Sequence, residues 1–205
     1  MDIEKLKKFN NMPRSFWIAS TDATNYPTLE KDINVDIAIV GGGMVGISTA
    51  YQLHKEGMKI AVLEGGRILQ NTTGHTTAKI TSQHSLIYAK LKKQFGDELA
   101  HQYASANESA IKEIKKIADE NNIDCEYSTQ SAFIYTQEDN YVKQIEDEIE
   151  AAKSLGIEAS YVDKIPFSIP IKAGVRFDNQ AQFHPRKFLL PLAEIIHKEA
   201  VQIYE

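Results

Sequence analysis

The sequence predicts an α/β fold, on three observations that follow one another along a short stretch of chain. An apolar run at residues 37–40 has the composition of a buried parallel strand. Apolar residues then recur at helical spacing from Ile47 to His54, and Gly57 marks the end of that helix. A second apolar run, at residues 60–63, predicts the next strand and ends in Glu64. Strand, helix and strand make one βαβ unit of about 30 residues, which is a building block of parallel sheets.

The turn between the first strand and the helix carries the spacing G-x-G-x-x-G, at Gly41, Gly43 and Gly46. Gly41 permits the tight turn, and Gly43 lets a diphosphate approach the backbone where a Cβ would clash. Gly46, helped by the small Ala50, lets the helix lie close to the strand. Free N–H groups at the helix N-terminus attract phosphate. The spacing therefore predicts a dinucleotide site, and the alternative is a glycine-rich turn that binds nothing.

The acidic residue after the second strand supports the same interpretation. Glu64 lies about 20 residues beyond the glycines, where a carboxylate can accept hydrogen bonds from an adenosine ribose and would repel the 2′-phosphate of NADP. The polar stretch that follows, from Gly65 to Lys79, has neither a helical nor a strand period. Such stretches are commonly surface loops. Because this one directly follows the acid, we expect its N–H groups and hydroxyls to hold a diphosphate or ribityl chain from the side opposite the helix.

Composition limits the class of protein. The chain has 205 residues, of which 42% are hydrophobic and 25% charged, as in an ordinary globular protein of one large or two small domains. The net charge of -5 argues against nucleic acid as the main partner. No apolar run approaches the roughly 20 residues of a membrane span, and no signal peptide is apparent. Cys125 is the only cysteine, so no internal disulfide or cysteine cluster is expected, no metal site is predicted, and the cytoplasm is the expected compartment.

The glycine motif, Glu64 and the Thr72–Ala78 loop together resemble the FAD-binding start of the D-amino-acid oxidase and glycine oxidase superfamily. Within it, the chain is most similar to bacterial FAD-dependent oxidoreductases, some of which carry a C-terminal Rieske iron–sulfur domain. The resemblance implies a Rossmann-like FAD-binding domain of the glutathione-reductase type with an inserted α+β substrate domain. It implies these cofactor-binding residues: Gly41, Gly43, Val45, Gly46, Glu64, Gly65, Arg67, Thr72, Thr73, His75, Thr76, Thr77 and Ala78.

The resemblance leaves the role of His75 open. In some relatives that oxidise N-methyl glycines, a histidine in a similar loop is bonded covalently to the flavin. An imidazole nitrogen is a competent nucleophile toward an activated 8α-methyl group. The motif around His75 matches that pattern only in part, so a hydrogen-bonding or plain loop histidine is the alternative.

The rest of the chain predicts a mixed helix-and-strand segment that returns to the first domain. A helical stretch is predicted from Ser82 to Asn121, interrupted near Gly96, with an apolar stripe at Leu99, Tyr103, Ala106, Ala110, Ile114, Ile117 and Ala118. Strands joined by a short connection are predicted at residues 124–128 and 132–135, followed by a helix at 141–155 and a strand at 159–162. The last predicted elements are a strand followed by a turn at 174–180, a helix from Pro185 to Glu199 and a strand from Val201.

These elements give four predicted regions: an N-terminal extension at residues 1–30, the first part of the FAD-binding domain at 31–84, a substrate-domain part at 85–175, and a return to the FAD-binding domain at 176–205. A doubly wound sheet needs strands on both sides of its first strand. We therefore expect an N-terminal fragment, incomplete at its C-terminus and inactive alone. An exposed sheet edge predicts self-association or a homo-oligomer, and a Rieske cluster is expected only in a missing C-terminal part.

For the whole enzyme the resemblance implies oxidation of a small amine or amino acid, with hydride transfer from the carbon next to nitrogen to flavin N5. Arg176 is a candidate carboxylate clamp, and a surface arginine is the alternative. Phe133 and Tyr135 face either substrate or ordinary strand neighbours. No catalytic residue is identified, and His184, which stands where family members often have an acid, is assigned no catalytic role. An NAD-dependent dehydrogenase and a non-catalytic nucleotide-fold protein remain alternatives, although the former does not need the Thr72–Ala78 loop.

Overall fold

The computed structural model describes residues 13–205, so the first twelve residues of the predicted N-terminal extension lie outside the described residues. The strands are β1 (Ile37–Val40), β2 (Ile60–Leu63), β3 (Lys79–Ile80), β4 (Ser128–Thr136), β5 (Ala159–Val162), β6 (Ala173–Gln182) and β7 (Gln202–Tyr204). The helices are α1 (Phe16–Ala19), α2 (Met44–His54), α3 (Tyr88–Glu120), α4 (Val142–Ser154) and α5 (Pro185–Lys198), with short 3-10 turns at Thr72–His75 and Asp139–Tyr141.

The described chain divides into two compact units. The first contains residues 13–77 together with His184–Glu205, and the second is Ala78–Phe183. The divisions after Thr77 and Phe183 differ from the domain boundaries that the sequence predicts after residues 84 and 175. As boundaries of functional domains, the four predicted regions stay a prediction.

The first unit is built on a three-stranded parallel sheet of order β1-β2-β7. The central strand β2 is buried because α2 lies against it and a strand pairs with each of its edges. Helices α2 and α5 pack on each other. The βαβ unit, the helix that begins at Pro185 and the strand after Val201 are confirmed. Together they place the glycine-rich turn at the carboxyl end of β1, where open α/β sheets bind ligands.

The second unit is an antiparallel sheet with two helices. Strand β6 pairs along one edge with β4, and along the other edge with β3 and β5 at opposite ends. Its core combines the aromatic rings of Tyr88 and Phe177, with ring centroids 6.2 Å apart, and small residues of α3 and α4. The predicted helix at residues 141–155 and the strand at 159–162 are confirmed.

Two strand predictions in this unit are wrong. Residues 124–127 form no strand; the predicted strand 132–135 lies within β4, which begins at Ser128 and has no connection before residue 132. The turn predicted within residues 174–180 is part of the continuous strand β6. The pairing passes from Gln130 opposite Gln180 to Ala132 opposite Phe177, so β6 carries one extra residue there. Asn179 has φ +57° at this point. The turn-forming residues therefore make a β-bulge instead of a chain reversal.

The predicted start of the long helix is also wrong, and its predicted buried face is wrong in part: Ile117 and Ala118 are buried as predicted, whereas Leu99, Ala106 and Ala110 are exposed. The helix begins at Tyr88 instead of Ser82, because Ser85 has φ +60°, which an α-helix does not accommodate. The Ser82 N–H donates to the Gln180 side chain over 2.7 Å. Gly96, with φ +82°, interrupts the helix and resets its phase. Consequently Leu99 is 52% exposed, whereas the residue after it is buried. The buried residues of α3 are Tyr88, Ala100, Ala104, Ile111, Ile117 and Ala118.

Candidate functional site

The glycine-rich turn between β1 and α2 brings the helix into direct contact with the strand. Gly41 has φ +104°, a backbone conformation that L side chains rarely adopt. Its N–H donates to the carbonyl oxygen of Leu63 over 2.8 Å, which joins the turn to β2. A Cβ at Gly46 would lie 1.9 Å from the backbone oxygen of Gly41. Both positions therefore require glycine for reasons internal to the fold.

The N-terminus of α2 presents amide groups to its surroundings. In the part of the chain that the structure describes, no acceptor meets the N–H groups of Gly43, Val45 and Gly46. The N–H of Met44 donates to Thr73 Oγ1 over 2.9 Å. The Val45 side chain is 80% exposed, so this end of the helix is open. Unpaired N–H groups and the positive end of the helix dipole favour a bound anion here.

Glu64 lies beside this turn and holds it in place. Its Oε2 accepts from the N–H of Gly42 over 2.8 Å, and its Oε1 accepts from the N–H of Gly66 over 3.1 Å. An ionised carboxylate has about four lone-pair positions, so each oxygen can still accept from a ribose hydroxyl. Positioning of the glycine turn by this carboxylate was not foreseen from the sequence.

Gly42 is part of this turn although the sequence carried no prediction for it. A Cβ at this position would lie 2.4 Å from the Cγ2 atom of Ile68, so the loop after Glu64 packs directly on the glycine turn. The Gly42 carbonyl oxygen also accepts from the N–H of Leu69 over 3.0 Å. The motif spacing treats Gly42 as a variable position, and only the tertiary contact shows why it is glycine.

The 3-10 turn at Thr72–His75 forms the next part of the site. Thr73 is buried, and its hydroxyl is the acceptor for the first amide of α2. Gly74 is buried too, because a Cβ there would lie 2.8 Å from Ile18 Cδ1 and 3.0 Å from the Leu69 carbonyl oxygen. The turn thus packs between α2 and the segment around α1, within the first unit.

The other residues of this loop point outward or to protein partners. Thr72, His75 and Thr77 are exposed, and the Thr76 carbonyl oxygen accepts from Trp17 Nε1 over 2.8 Å. The His75 Nδ1 lies 2.8 Å from the Asn71 carbonyl oxygen. Because a carbonyl oxygen can only accept a hydrogen bond, Nδ1 carries the hydrogen. A neutral His75 therefore carries its lone pair on Nε2.

Three further residues from the predicted set lie elsewhere. Gly65 is exposed, and a Cβ there would meet no atom within 4 Å. The Arg67 guanidinium donates to the Thr24 carbonyl oxygen over 2.7 Å and to the Glu205 carboxylate over 2.9 Å, so its partners belong to the protein. Ala78 is the first residue of the second unit, buried with φ +61°. Their roles toward a cofactor stay predictions.

His184 has a structural partner set, in keeping with the absence of a catalytic assignment. It precedes α5, and its Nδ1 accepts from the N–H of Lys187 over 3.1 Å, as an N-cap side chain does. Its Nε2 lies 3.0 Å from Ser20 Oγ. The rings of Phe16 and Trp17 pack around it, with centroid distances of 5.9 Å and 4.9 Å. His184 thus serves as the N-cap of this helix.

Two negative observations apply to residues 13–205. Among them, no group of three or more His, Cys, Asp and Glu side chains could hold a metal ion. None of the helices in that range combines the length and the apolar composition needed to cross a bilayer.

The parallel sheet, the glycine turn and the acid after β2 define the class of nucleotide-binding α/β proteins. Residues 36–205 match the family model described as FAD dependent oxidoreductase, or DAO. The chain belongs to this family of FAD-dependent oxidoreductases.

Curated relatives cover nearly the whole chain. The iron–sulfur protein YhfW of Bacillus subtilis (strain 168), whose name refers to a Rieske 2Fe-2S cluster, is 42% identical over 193 residues, which are 94% of this chain and 38% of that protein. The gamma-glutamylputrescine oxidoreductase of Escherichia coli (strain K12) is 23% identical, over 93% of this chain and 46% of its own length. The chain therefore spans less than half the length of these relatives.

Solved structures share the fold. The L-amino acid deaminase from Proteus myxofaciens matches with a TM-score of 0.69 and 17% identity, over 89% of this chain and 40% of its own. The glycine oxidase from Geobacillus kaustophilus matches with a TM-score of 0.64 and 16% identity, over 83% of this chain and 46% of its own. These structures confirm the predicted fold class.

Proposed function

We propose that the protein is an FAD-dependent oxidoreductase that oxidises a small amine or amino acid. The observation that carries the proposal is the open N-terminus of α2 beside Glu64, in a chain that belongs to the FAD-dependent oxidoreductase family. The names of the relatives support the substrate class, because they include an oxidoreductase of an amine and a deaminase and an oxidase of amino acids.

The residues present fit the adenine half of FAD. The amides of Gly43, Val45 and Gly46 can receive the diphosphate, and a Cβ at Gly43 would meet only Thr73 Oγ1, at 3.4 Å, so the protein itself does not fill this space. The Glu64 carboxylate can accept from the ribose hydroxyls. The predicted residues beyond these, in the Thr72–Ala78 loop, are proposed to line the remaining path of the cofactor.

When bound, FAD would supply the hydride acceptor at its N5 atom, and the protein would position it and tune its electronics. The described residues would hold the cofactor's phosphates at the N-terminus of α2, where the free amides of Gly43, Val45 and Gly46 lie. We assign no Rieske cluster to any residue of this sequence, since that possibility enters only through the name of YhfW. The proposal includes a cytoplasmic location and a small-molecule substrate.

The structure makes Arg176 a weaker candidate for substrate binding than the sequence alone does. Its guanidinium lies 2.6 Å from the Asp178 carboxylate, and its Nε also lies 3.3 Å from Ser131 Oγ. The hydroxyl of Ser131 donates to the Asp178 carboxylate, and this bond and Arg176 hold the pKa of Asp178 below its usual value despite partial burial. A substrate carboxylate would have to compete with this partner, so we do not include Arg176 in the proposal.

The purified protein, expressed from its complete reading frame, is expected to show the visible absorption bands of oxidised flavin. Acid denaturation is expected to release the flavin into the supernatant, because the motif around His75 matches the covalently linked pattern only in part. A colourless protein that cannot be reconstituted with FAD would contradict the proposal. Flavin that stays with the precipitate would show covalent linkage instead.

Replacing Gly43 by alanine is expected to remove flavin binding without loss of stability. The added Cβ would make an ordinary contact of 3.4 Å with Thr73 Oγ1, yet it would occupy the space that a diphosphate needs. FAD content after purification and the thermal unfolding temperature of the apoprotein measure the two effects. An NAD-dependent dehydrogenase would lose NAD in the same variant, so turnover of a panel of amines with oxygen or a dye separates the remaining alternatives.

A further inference from the structure

A fully buried guanidinium joins two irregular segments of the first unit. Arg186 is 0% exposed although it carries a full charge. Its Nε donates to Thr21 Oγ1 over 2.7 Å, and one terminal nitrogen donates to the Asp22 carbonyl oxygen over 2.8 Å. The other terminal nitrogen donates to the Leu69 carbonyl oxygen over 3.0 Å. The planar fork of the guanidinium thus links residues 21–22 to the loop after Glu64.

A buried carboxylate joins the same segments from another side. The Glu205 side chain is 2% exposed and accepts four hydrogen bonds. The N–H of Ile68 donates over 2.8 Å, the N–H of Tyr26 over 2.9 Å and Arg67 over 2.9 Å, and Thr24 Oγ1 is the fourth donor. We call residues 20–28, which contribute donors and acceptors to both charges, the N-terminal strap.

The two charges support each other. Burial lowers the pKa of the Arg186 guanidinium, and the negative charge of Glu205 acts in the opposite direction. Burial raises the pKa of Glu205, but its hydrogen bonds outweigh that effect and hold the pKa below its ordinary value. Burying two charges is costly; the Arg186 acceptors are neutral groups, and the ion-pair partner of Glu205 is Arg67. Such buried charges are therefore expected where they fix a particular conformation.

The two buried charges fix the conformation of Arg67–Leu69, on the outer side of the glycine turn. The inner side of this segment packs on Gly42, where a Cβ would lie 2.4 Å from Ile68 Cγ2. The N–H of Leu69 donates to the Gly42 carbonyl oxygen over 3.0 Å. Displacement of Ile68 and Leu69 would therefore free the residue that directly precedes Gly43 and its amide.

We propose that Arg186 and Glu205 are positioning residues for the dinucleotide site. Together with the N-terminal strap they hold Arg67–Leu69 against Gly42, and through Gly42 they fix the amides at the N-terminus of α2. The proposal rests on the proposed function, since it takes FAD as the ligand of that site. Neither residue is assigned a contact with the cofactor.

The test compares variants of the full-length apoprotein. Arg186→Lys keeps the positive charge but loses the planar fork of the guanidinium. Glu205→Gln keeps the shape of the side chain, but its amide NH₂ group would face the N–H and O–H donors that now bond to the carboxylate. FAD affinity is measured by quenching of flavin fluorescence, and hydrogen exchange reports on the amides of residues 42–46 and 67–69. We expect FAD to bind roughly 10- to 100-fold more weakly, by analogy with the removal of outer-shell partners of bound metals. Exchange at both segments should be faster.

A control for general destabilisation is available in the second unit. Val175→Ala removes volume from its core, where Val175 is 0% exposed. This variant should lower the unfolding temperature while FAD affinity and exchange at residues 42–46 stay as in the wild type. Thr21→Val, which removes one acceptor of Arg186 and keeps the volume, provides a mild variant if Arg186→Lys does not fold. A severalfold weaker binding of FAD is expected for it.

The outcomes separate the inference from the proposed function. A wild-type protein that binds FAD, with Arg186, Glu205 and Thr21 variants that bind it equally well, would overturn the inference and leave the proposed function standing. Variants that weaken binding only as much as Val175→Ala would do the same, because the buried pair would then be purely structural. A wild-type apoprotein that takes up no FAD would overturn both.

Discussion

Replacing Gly46 by alanine is expected to abolish FAD binding and to destabilise the first unit by about 2 kcal/mol or more, as overpacking of a tight contact does. The added Cβ would lie 1.9 Å from the Gly41 carbonyl oxygen and 3.1 Å from its carbonyl carbon. Both atoms belong to the backbone, so no side-chain rotation relieves the clash. The helix α2 has to move away from β1 by on the order of 1 Å. Its amides then leave the position that a diphosphate would use, and urea unfolding with FAD titration measures both losses.

A second glycine gives a matched control for this substitution. Gly66 is exposed, and a Cβ there would lie 3.8 Å from Glu64 Oε1, which is ordinary contact. Gly66→Ala keeps the N–H that donates to Glu64, so its stability should stay within about 0.5 kcal/mol of the wild type. If Gly46→Ala bound FAD as tightly as Gly66→Ala does, the close approach of α2 to β1 would not be what shapes the site.

The parts of the fold that the sequence predicted are those whose cause is local. The apolar runs of β1 and β2, the periodicity of α2 and the Pro185 helix start each depend on a few consecutive residues. Around β7 the apolar Val201 and Ile203 likewise alternate with other residues just after a helix end. Such elements can be recognised in the sequence because the signal lies in neighbouring residues, although the strands pair with distant ones.

The elements predicted wrongly are those that a distant residue decides. The α3 helix begins at Tyr88 because groups from α4 and β6 set the path of the preceding residues. Thr129 and Gln130 fall between the two predicted strands, but they pair with Ala181 and Gln180 of β6. The bulge at Asn179 uses residues that are typical of turns. In each case a tertiary contact overrides the local preference.

The candidate site divides in the same way. The spacing of Gly41, Gly43 and Gly46 is a local pattern with a known physical meaning, so it could be found in the sequence. The contact of Ile68 with Gly42 joins segments 26 positions apart and has no sequence signature. The buried pair of Arg186 and Glu205 was missed for that reason too. Sequence reasoning thus identifies the ligand-facing turn more readily than the residues behind it.

The largest loss of stability is expected from Glu148→Ala, a position that carried no sequence prediction. Glu148 on α4 is 0% exposed. Its Oε1 accepts from the N–H groups of Ile87 and Tyr88 over 2.8 and 2.9 Å, and its Oε2 accepts from Ala89 over 2.9 Å. The carboxylate therefore caps α3 from another helix and interacts with its dipole. Alanine would leave these donors without their acceptor and open a cavity, at a cost of about 3–5 kcal/mol.

The same helix supplies the control. Glu146 is exposed two positions away, and Glu146→Ala should change stability by no more than about 0.5 kcal/mol. For Glu148→Ala the unfolding temperature, followed by circular dichroism, should fall by on the order of 10–20 °C. Glu148→Gln should lie between the two, because one amide oxygen still accepts while the NH₂ group faces donors. If all three variants had the unfolding temperature of the wild type, water would be replacing the carboxylate as acceptor. The start of α3 would then not depend on α4.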